Sequence, residues 1–256
     1  MSGGGAFPMA PRGSVASCAM DLGLAGRVAL VTAASKGLGR ASAQALVDEG
    51  ASVAINSRDP ERLRATAAEL GEGVLALPGD VTDPDAPRQL VEATVARFGA
   101  LHVLVANAGG PPKGRAVDVD DSTLQAAIDA NLLTSVRLVR EALPHMRAAG
   151  WGRICLITSN AVKQPIPDLA TSNTARTGLW GWAKTASQEL VEEGITINLA
   201  CPGLHRTQRV EDAGFTGRMG DPADFGRVVA FLCSEPAGFI SGAALQIDGA
   251  STLGLL

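Results

Sequence analysis

Short apolar runs alternate with longer helical patterns throughout the chain from Arg27 onward. The short runs are almost continuously Val, Ile, Leu and Ala, which is typical of strands buried on both faces of a sheet. Regular alternation of strand and helix predicts parallel strands joined by right-handed crossovers. The predicted fold class is therefore α/β, with a doubly wound, seven-stranded parallel sheet flanked by helices.

The boundaries of this pattern define one domain over residues 21–256, preceded by a tail. Residues 1–20 are rich in Gly, Ala, Ser and Pro and lack the apolar core of a signal peptide, so we expect a flexible N-terminal tail. The predicted strands are Val28–Thr32, Ser52–Asn56, Val74–Leu77, Val103–Ala106, Ile154–Thr158, Thr196–Ala200 and Ala244–Ile247. The predicted helices are Leu38–Glu49, Glu61–Leu70, Ala86–Phe98, Leu124–Arg147, Asn173–Glu193 and Ala223–Leu232.

Composition excludes several classes of partner. The formal net charge of -4 gives no basic surface for nucleic acid, and no run reaches the ~20 apolar residues of a membrane span. The four cysteines form no CxxC pair and have no cluster of histidines nearby, so we expect no metal site. We expect a cytoplasmic protein without nucleic-acid or membrane partners.

The first strand-to-helix turn carries a glycine-rich segment, TAASKGLG, from Thr32 to Gly39. Glycines in such a turn let the backbone approach a ligand closely, and the N-terminus of the next helix offers free N–H groups to a phosphate. This context predicts that the turn binds a dinucleotide. The residues expected to contact it are Thr32, Ser35, Lys36, Gly37, Leu38 and Gly39.

Three further motifs follow later strands: Asp80-Val81, the ANAG stretch Ala106–Gly109, and Pro202-Gly203 followed by Thr207. With the glycine turn, they resemble the short-chain dehydrogenase/reductase family from about Leu24 to the C-terminus, and 3-oxoacyl-carrier-protein reductases in particular. The family usually has the motif TGxxxGxG at this turn, and in this chain Ala33 stands in place of the first glycine. The resemblance implies a single Rossmann-type domain, a homodimer or homotetramer, and a nicotinamide cofactor. It implies cofactor contacts from Asp80, Val81, Asn107, Ala108, Gly109, Arg176, Pro202, Gly203 and Thr207.

The end of the second strand bears on the choice of cofactor. An NAD site places an acidic residue there to bind the ribose hydroxyls. The strand ends Asn56-Ser57-Arg58, with no carboxylate before Asp59. Because Arg58 and Lys36 are cations near the expected 2'-phosphate, we expect NADP(H) in preference to NAD(H), with Ser57 and Arg58 in the site.

The catalytic residues depart from the family pattern. Members of the family use an Asn, a Ser, a Tyr and a Lys; Asn131 and Ser159 match the first two. The chain contains no tyrosine, and Ser172 and Arg176 stand where the Tyr and the Lys belong. A serine hydroxyl is a far weaker acid than a phenol, and arginine does not release a proton, although it does bind an oxyanion. We therefore expect an NAD(P)H-dependent oxidoreductase with altered catalytic residues Asn131, Ser159, Ser172 and Arg176.

Several functions are compatible with such a site. The leading hypothesis is NADPH-dependent reduction of a carbonyl or quinone-like substrate, such as an aromatic polyketide, that is small or carrier-bound. The alternatives are quinone reduction coupled to oxygen-dependent hydroxylation, a non-redox dehydratase, isomerase or cyclase, and a non-catalytic nucleotide-binding protein. The short lid after Thr207 indicates either an open cleft for a large substrate or a lid that is merely trimmed. Lys113, Lys163 and His205 are candidate substitute donors.

Overall fold

A computed structural model describes residues 20–254 as one parallel sheet with helices on both faces. Of the predicted tail, only Met20 falls within these residues. All seven predicted strands are present, in the order β3-β2-β1-β4-β5-β6-β7, and every neighbouring pair is parallel. The strands are β1 Val28–Val31, β2 Ser52–Ser57, β3 Leu75–Pro78, β4 Val103–Ala106, β5 Gly152–Ile157, β6 Ile195–Pro202 and β7 Ala244–Ile247.

The predicted burial of both sheet faces is confirmed. Every residue of β1 is buried; Leu30 belongs to one apolar cluster, and Ala29 and Val31 belong to the other. Alternate side chains of a strand point to opposite faces, so each face has its own core. The helices are α1 Gly37–Asp48, α2 Pro60–Leu70, α3 Ala86–Phe98, α4 Asp121–Ile128, α5 Thr134–Ala149, α6 Ala170–Leu190, α7 Gln208–Asp212 and α8 Pro222–Leu232.

The predicted single helix Leu124–Arg147 is wrong in one respect. A π-helical turn, Asp129–Leu133, separates α4 from α5, and the Thr134 hydroxyl donates to the Asp129 carbonyl at 2.9 Å. Such a wide turn shifts the apolar spacing too little to show in the sequence, and π-turns are frequent at functional sites. It contains Asn131, which is buried.

Ala33, the residue that replaces the first glycine of the turn, has a left-handed backbone with φ of 47°. A residue with a β-carbon destabilises the folded state by roughly 1–2 kcal/mol in this backbone region. A glycine removes that strain, but its more flexible unfolded chain offsets part of the gain. We expect Ala33→Gly to raise the free energy of unfolding by roughly 0.5–1 kcal/mol and Tm by about 2 °C. Urea and thermal denaturation measure both.

Gly150→Ala, the reverse substitution at another left-handed position, is the control for this prediction. Gly150 has φ of 59°, and an added β-carbon there would meet nothing within 4 Å. The alanine should therefore lower stability by about 1 kcal/mol through backbone strain alone. A less stable Ala33→Gly variant beside a destabilised Gly150→Ala variant would show that the turn tolerates Ala33 without strain.

Candidate active site

The glycine turn and the ANAG stretch form one hydrogen-bonded unit at the carboxyl edge of the sheet. The Thr32 hydroxyl donates to the backbone carbonyl of Asn107 at 2.7 Å and accepts from the backbone N–H of Asn107 at 2.9 Å. The Asn107 side-chain Nδ2 donates to the Ala33 carbonyl at 3.2 Å. Because strands β1 and β4 are neighbours, these two motifs meet although they are far apart in the chain. Ala108 and Gly109 continue the same loop.

The start of α1 has the features of a phosphate-binding turn. Gly37 has φ of 60°, and the side chain of Lys36 makes no capping hydrogen bond, so the first N–H groups of α1 stay free for a ligand. A β-carbon at Gly39 would lie 2.5 Å from the Ala33 carbonyl oxygen, so only glycine fits there. This cradle fits the diphosphate of a dinucleotide.

The third motif, Pro202-Gly203 followed by Thr207, lies at the same edge of the sheet, at the end of β6. The Gly203 N–H donates to the Ile247 carbonyl at 3.0 Å, and a β-carbon at Gly203 would lie 2.8 Å from the Asp248 Cα. Thr207 Cγ2 lies 3.7 Å from the β-carbon position of Gly37. The segment that starts at Pro202 therefore extends across to the glycine turn.

The region expected to bind the adenosine lies beside β2 and β3. Buried Asn56 donates to the carbonyls of Leu77 at 2.9 Å and Gly79 at 3.0 Å. Hydrogen bonds from Thr82 lower the pKa of Asp80, which keeps this carboxylate charged. Of the other expected cofactor contacts here, Ser57 and Val81 are buried, Ser35 and Leu38 are half-buried, and Lys36 and Arg58 are exposed.

Arg176 carries a buried charge beside Asn131 and the end of β5. Its side chain on α6 is 7% exposed; Nη2 donates to Asn131 Oδ1 at 3.0 Å, and Nη1 donates to the Ile157 carbonyl at 3.1 Å. Both partners are neutral, and Arg176 pairs with no carboxylate in the described part of the chain. Burial, with the nearby charge of Arg209, lowers its pKa to about 10, so the guanidinium is still cationic at neutral pH.

The two serines lie on the elements that hold this guanidinium, Ser172 on α6 and Ser159 just after β5. Helix α6 begins at Ala170, so Ser172 lies one turn before Arg176 on the same face and is buried. Ser159 follows the end of β5, two residues after Ile157, and its hydroxyl accepts from the Ala161 N–H at 3.1 Å. The fold thus gathers Asn131, Ser159, Ser172 and Arg176 at one place.

Each substitute donor predicted from the sequence lies near an aromatic ring. The Lys163 ammonium lies 4.1 Å from the Trp180 ring, and the Lys113 ammonium lies 5.9 Å from the Phe215 ring. His205 is buried against Phe225, with ring centroids 5.2 Å apart. Each of these side chains therefore has a packing partner.

Cys201 is fully buried, and this burial raises its pKa to about 11, which makes it a poor nucleophile.

Residues 20–254 contain no cluster of three or more His, Cys, Asp or Glu side chains placed to hold a metal ion. No helix in the same range is both long and apolar enough to span a membrane.

Sequence reasoning missed one residue of the cleft. Arg209 on α7 places its guanidinium directly against Gly110, the residue after the ANAG stretch. No motif marked it, because Arg209 and Gly110 are neighbours only in the folded chain. The short segment after Thr207 therefore contacts the loop that follows the ANAG stretch.

The fold and the convergent glycine motifs define a class: a doubly wound protein that binds a dinucleotide at the carboxyl edge of its sheet. The family model for short chain dehydrogenases matches residues 27–214. The chain belongs to the short-chain dehydrogenase/reductase family and is an NAD(P)H-dependent oxidoreductase.

Known proteins resemble the chain over almost its whole length. It is 33% identical to dehydrogenase/reductase SDR family member 4 of Bos taurus, over 93% of this chain and 92% of that protein. It is 32% identical to nodulation protein G of Rhizobium sp. (strain N33), over 88% of this chain and 97% of that protein.

Solved structures of reductases have the same fold. L-sorbose reductase from Gluconobacter frateurii, in complex with NADPH and L-sorbose, superposes with a TM-score of 0.85 at 30% identity, covering 90% of this chain and 98% of that one. YwfH, an NADPH-dependent reductase involved in bacilysin biosynthesis, also gives a TM-score of 0.85, at 25% identity, covering 90% of this chain and 99% of that one.

Proposed function

We propose that this oxidoreductase uses NADPH to reduce a conjugated carbonyl of the quinone type, and that the Arg176 cation stabilises the negative charge that forms on the substrate in the absence of the tyrosine. The observation that carries the proposal is a buried guanidinium bonded only to neutral acceptors. A buried charge without an opposite charge is costly, which is typical of a group that awaits an anionic ligand. Two of its five N–H groups have protein partners, so others remain for a substrate oxygen.

The chemistry of the residues favours a delocalised substrate. NADPH, when bound, supplies a hydride. A quinone that accepts it becomes a hydroquinone monoanion, whose charge the Arg176 cation stabilises and the hydroxyls of Ser159 and Ser172 solvate. Water then supplies one proton, giving the hydroquinone. An isolated ketone would instead form an alkoxide, which is much more basic and needs a proton donor during the transfer.

The preference for NADPH is supported by the end of β2. The first carboxylate after this strand, Asp59, caps α2 by accepting from the Arg62 N–H at 3.0 Å, and it also pairs with the Arg62 guanidinium at 3.5 Å. It is therefore already bonded within α2. Arg58 is exposed and has only a 3.8 Å contact with Asp80, so its guanidinium can turn toward a 2'-phosphate.

Stopped-flow measurement of NADPH oxidation tests the proposal. Under anaerobic conditions, 1,4-naphthoquinone should be reduced at least about a hundredfold faster than cyclohexanone or an acetoacetyl thioester, because an internal acid is worth roughly 10²–10⁴ in rate. NADPH should bind at least about tenfold tighter than NADH, since a charge-assisted phosphate contact contributes more than 1.4 kcal/mol. A reaction without protein corrects for direct oxidation of NADPH by the quinone.

Other outcomes favour the other functions. Faster reduction of the ketone would contradict the proposed role of Arg176. NADPH binding without oxidation by any substrate would indicate non-redox chemistry or a nucleotide-binding role. Oxygen uptake and a hydroxylated product, seen only when air is admitted, would indicate the coupled hydroxylation.

A further inference from the structure

A second cation, Arg209, lies against Gly110 in its present position because Gly110 has no side chain. A β-carbon at Gly110 would overlap both terminal nitrogens of Arg209. Gly110 itself has no positive φ, so its backbone conformation does not demand glycine. What the missing side chain provides at this position is room for the guanidinium.

The wall that carries Gly110 is fixed to the catalytic helix. The Thr171 hydroxyl on α6 donates to the Pro112 carbonyl at 2.9 Å, and the Gly114 N–H donates to the Asp168 carbonyl at 2.8 Å. Arg209 on α7 is exposed, and its guanidinium lies against this wall at Gly110. The wall thus connects Arg209 to the helix that carries Ser172 and Arg176.

Arg209 also lacks an acidic partner. It forms no ion pair within residues 20–254, whereas Arg206, three residues earlier, pairs with Asp221 at 2.9 Å. A carboxylate on the same short helix, Asp212, accepts instead from Gln208 at 2.8 Å. The charge of Arg209 adds to the larger effect of burial in lowering the pKa of Arg176. Neither guanidinium has a carboxylate partner within residues 20–254.

We propose that Arg209 is a specificity-determining residue that binds a carboxylate on the substrate. This proposal rests on the proposed function, since it assigns a substrate to the same site: a conjugated carbonyl compound that also carries a carboxylate. Arginine is suited to this task because its planar fork pairs with both oxygens of a carboxylate. In this arrangement Arg176 binds the reducible carbonyl, and Arg209 binds the anionic substituent.

Binding of two probes of equal shape tests the proposal without turnover. Isothermal titration of NADP⁺-loaded protein should show that 1-naphthoate binds at least about tenfold tighter than uncharged 1-naphthamide, as expected for a hydrogen-bonded charge pair. Arg209→Gln should remove most of this preference by weakening naphthoate alone, and should change the Kd for NADPH by less than about twofold. Arg64→Gln, which removes an exposed cation on α2, should leave all these affinities unchanged.

A second variant tests the geometry. Gly110→Ala should displace the guanidinium and reduce the preference for naphthoate in the wild-type background, but should have no further effect on it in Arg209→Gln. Such non-additivity is the signature of two residues acting through one contact. Circular dichroism checks that each variant is folded.

Three results would overturn the assignment. They are equal binding of both probes by the wild type, an unchanged preference in Arg209→Gln, and a loss of NADPH affinity in Arg209→Gln that matches the loss for naphthoate. The last would make Arg209 a cofactor ligand. If NADP⁺ does not bind at all, the proposed function fails, and the same titration on the free protein still tests whether Arg209 selects the carboxylate.

Discussion

Replacing Arg176 with methionine should lower kcat for quinone reduction by about a hundredfold or more, because one well-placed donor to a developing oxyanion is worth roughly 10²–10³ in rate. Methionine keeps an unbranched side chain of similar length and removes the charge. The Kd for NADPH should change much less than kcat if the main role of Arg176 is to stabilise the reduced substrate. Single-turnover oxidation of NADPH, with separate measurement of cofactor binding, distinguishes the two effects.

The pH profile gives a second readout for Arg176. The cation carries the activity, and burial lowers its pKa to about 10. Activity of the wild type should therefore persist on the low-pH side of this value and fall as pH rises through about 10. The methionine variant should lack this decline. Full activity of a folded Arg176→Met variant would contradict the proposed role of the guanidinium.

The double variant Ser172→Tyr/Arg176→Lys should gain reduction of simple ketones. It restores the acid and the cation that the family places at these positions, and general acid catalysis contributes roughly 10²–10⁴ in rate. We expect the kcat for cyclohexanone to rise at least about tenfold over the wild type, since an untuned new acid realises only part of that range. NADPH oxidation confirmed by detection of the alcohol measures the gain.

The matched control for this gain is Ser172→Phe/Arg176→Lys. It introduces the same ring without the hydroxyl, so it should show no ketone reduction above the wild type. Equal activity of the two double variants would mean that the ring, and not the phenol, changes the cleft. No gain in a tyrosine variant that still binds NADPH would show that further residues have adapted to a different substrate.

Much of the fold could be predicted because its signals are local. The buried run Val28–Val31 and the glycine turn after it have patterns that a few neighbouring residues define. The π-turn at Asp129–Leu133 could not be predicted, since one widened turn leaves the apolar pattern of the surrounding helix almost unchanged. The short helix Gln208–Asp212 was missed because five residues contain too little periodicity.

In the candidate site, too, some features have a local sequence signal and others depend on tertiary packing. Spacing along the chain is enough to align Ser172 and Arg176 with the Tyr and Lys of the family. It does not show that Arg176 bonds to Asn131 and Ile157, nor that Arg209 lies against Gly110. These contacts join segments that only the packing of helices on the sheet brings together. The placement of cofactor and catalytic residues stays a proposal that the variants above test.

The sequence by itself determined the family, the edge of the sheet that binds the cofactor, and the absence of a phenol from the whole chain. These follow from residue types and local order, which no folding changes. Only the tertiary structure decided that the replacement for the lysine is buried and bonded to neutral groups. Burial and charge pairing depend on distances between remote parts of the chain, and packing alone sets those distances.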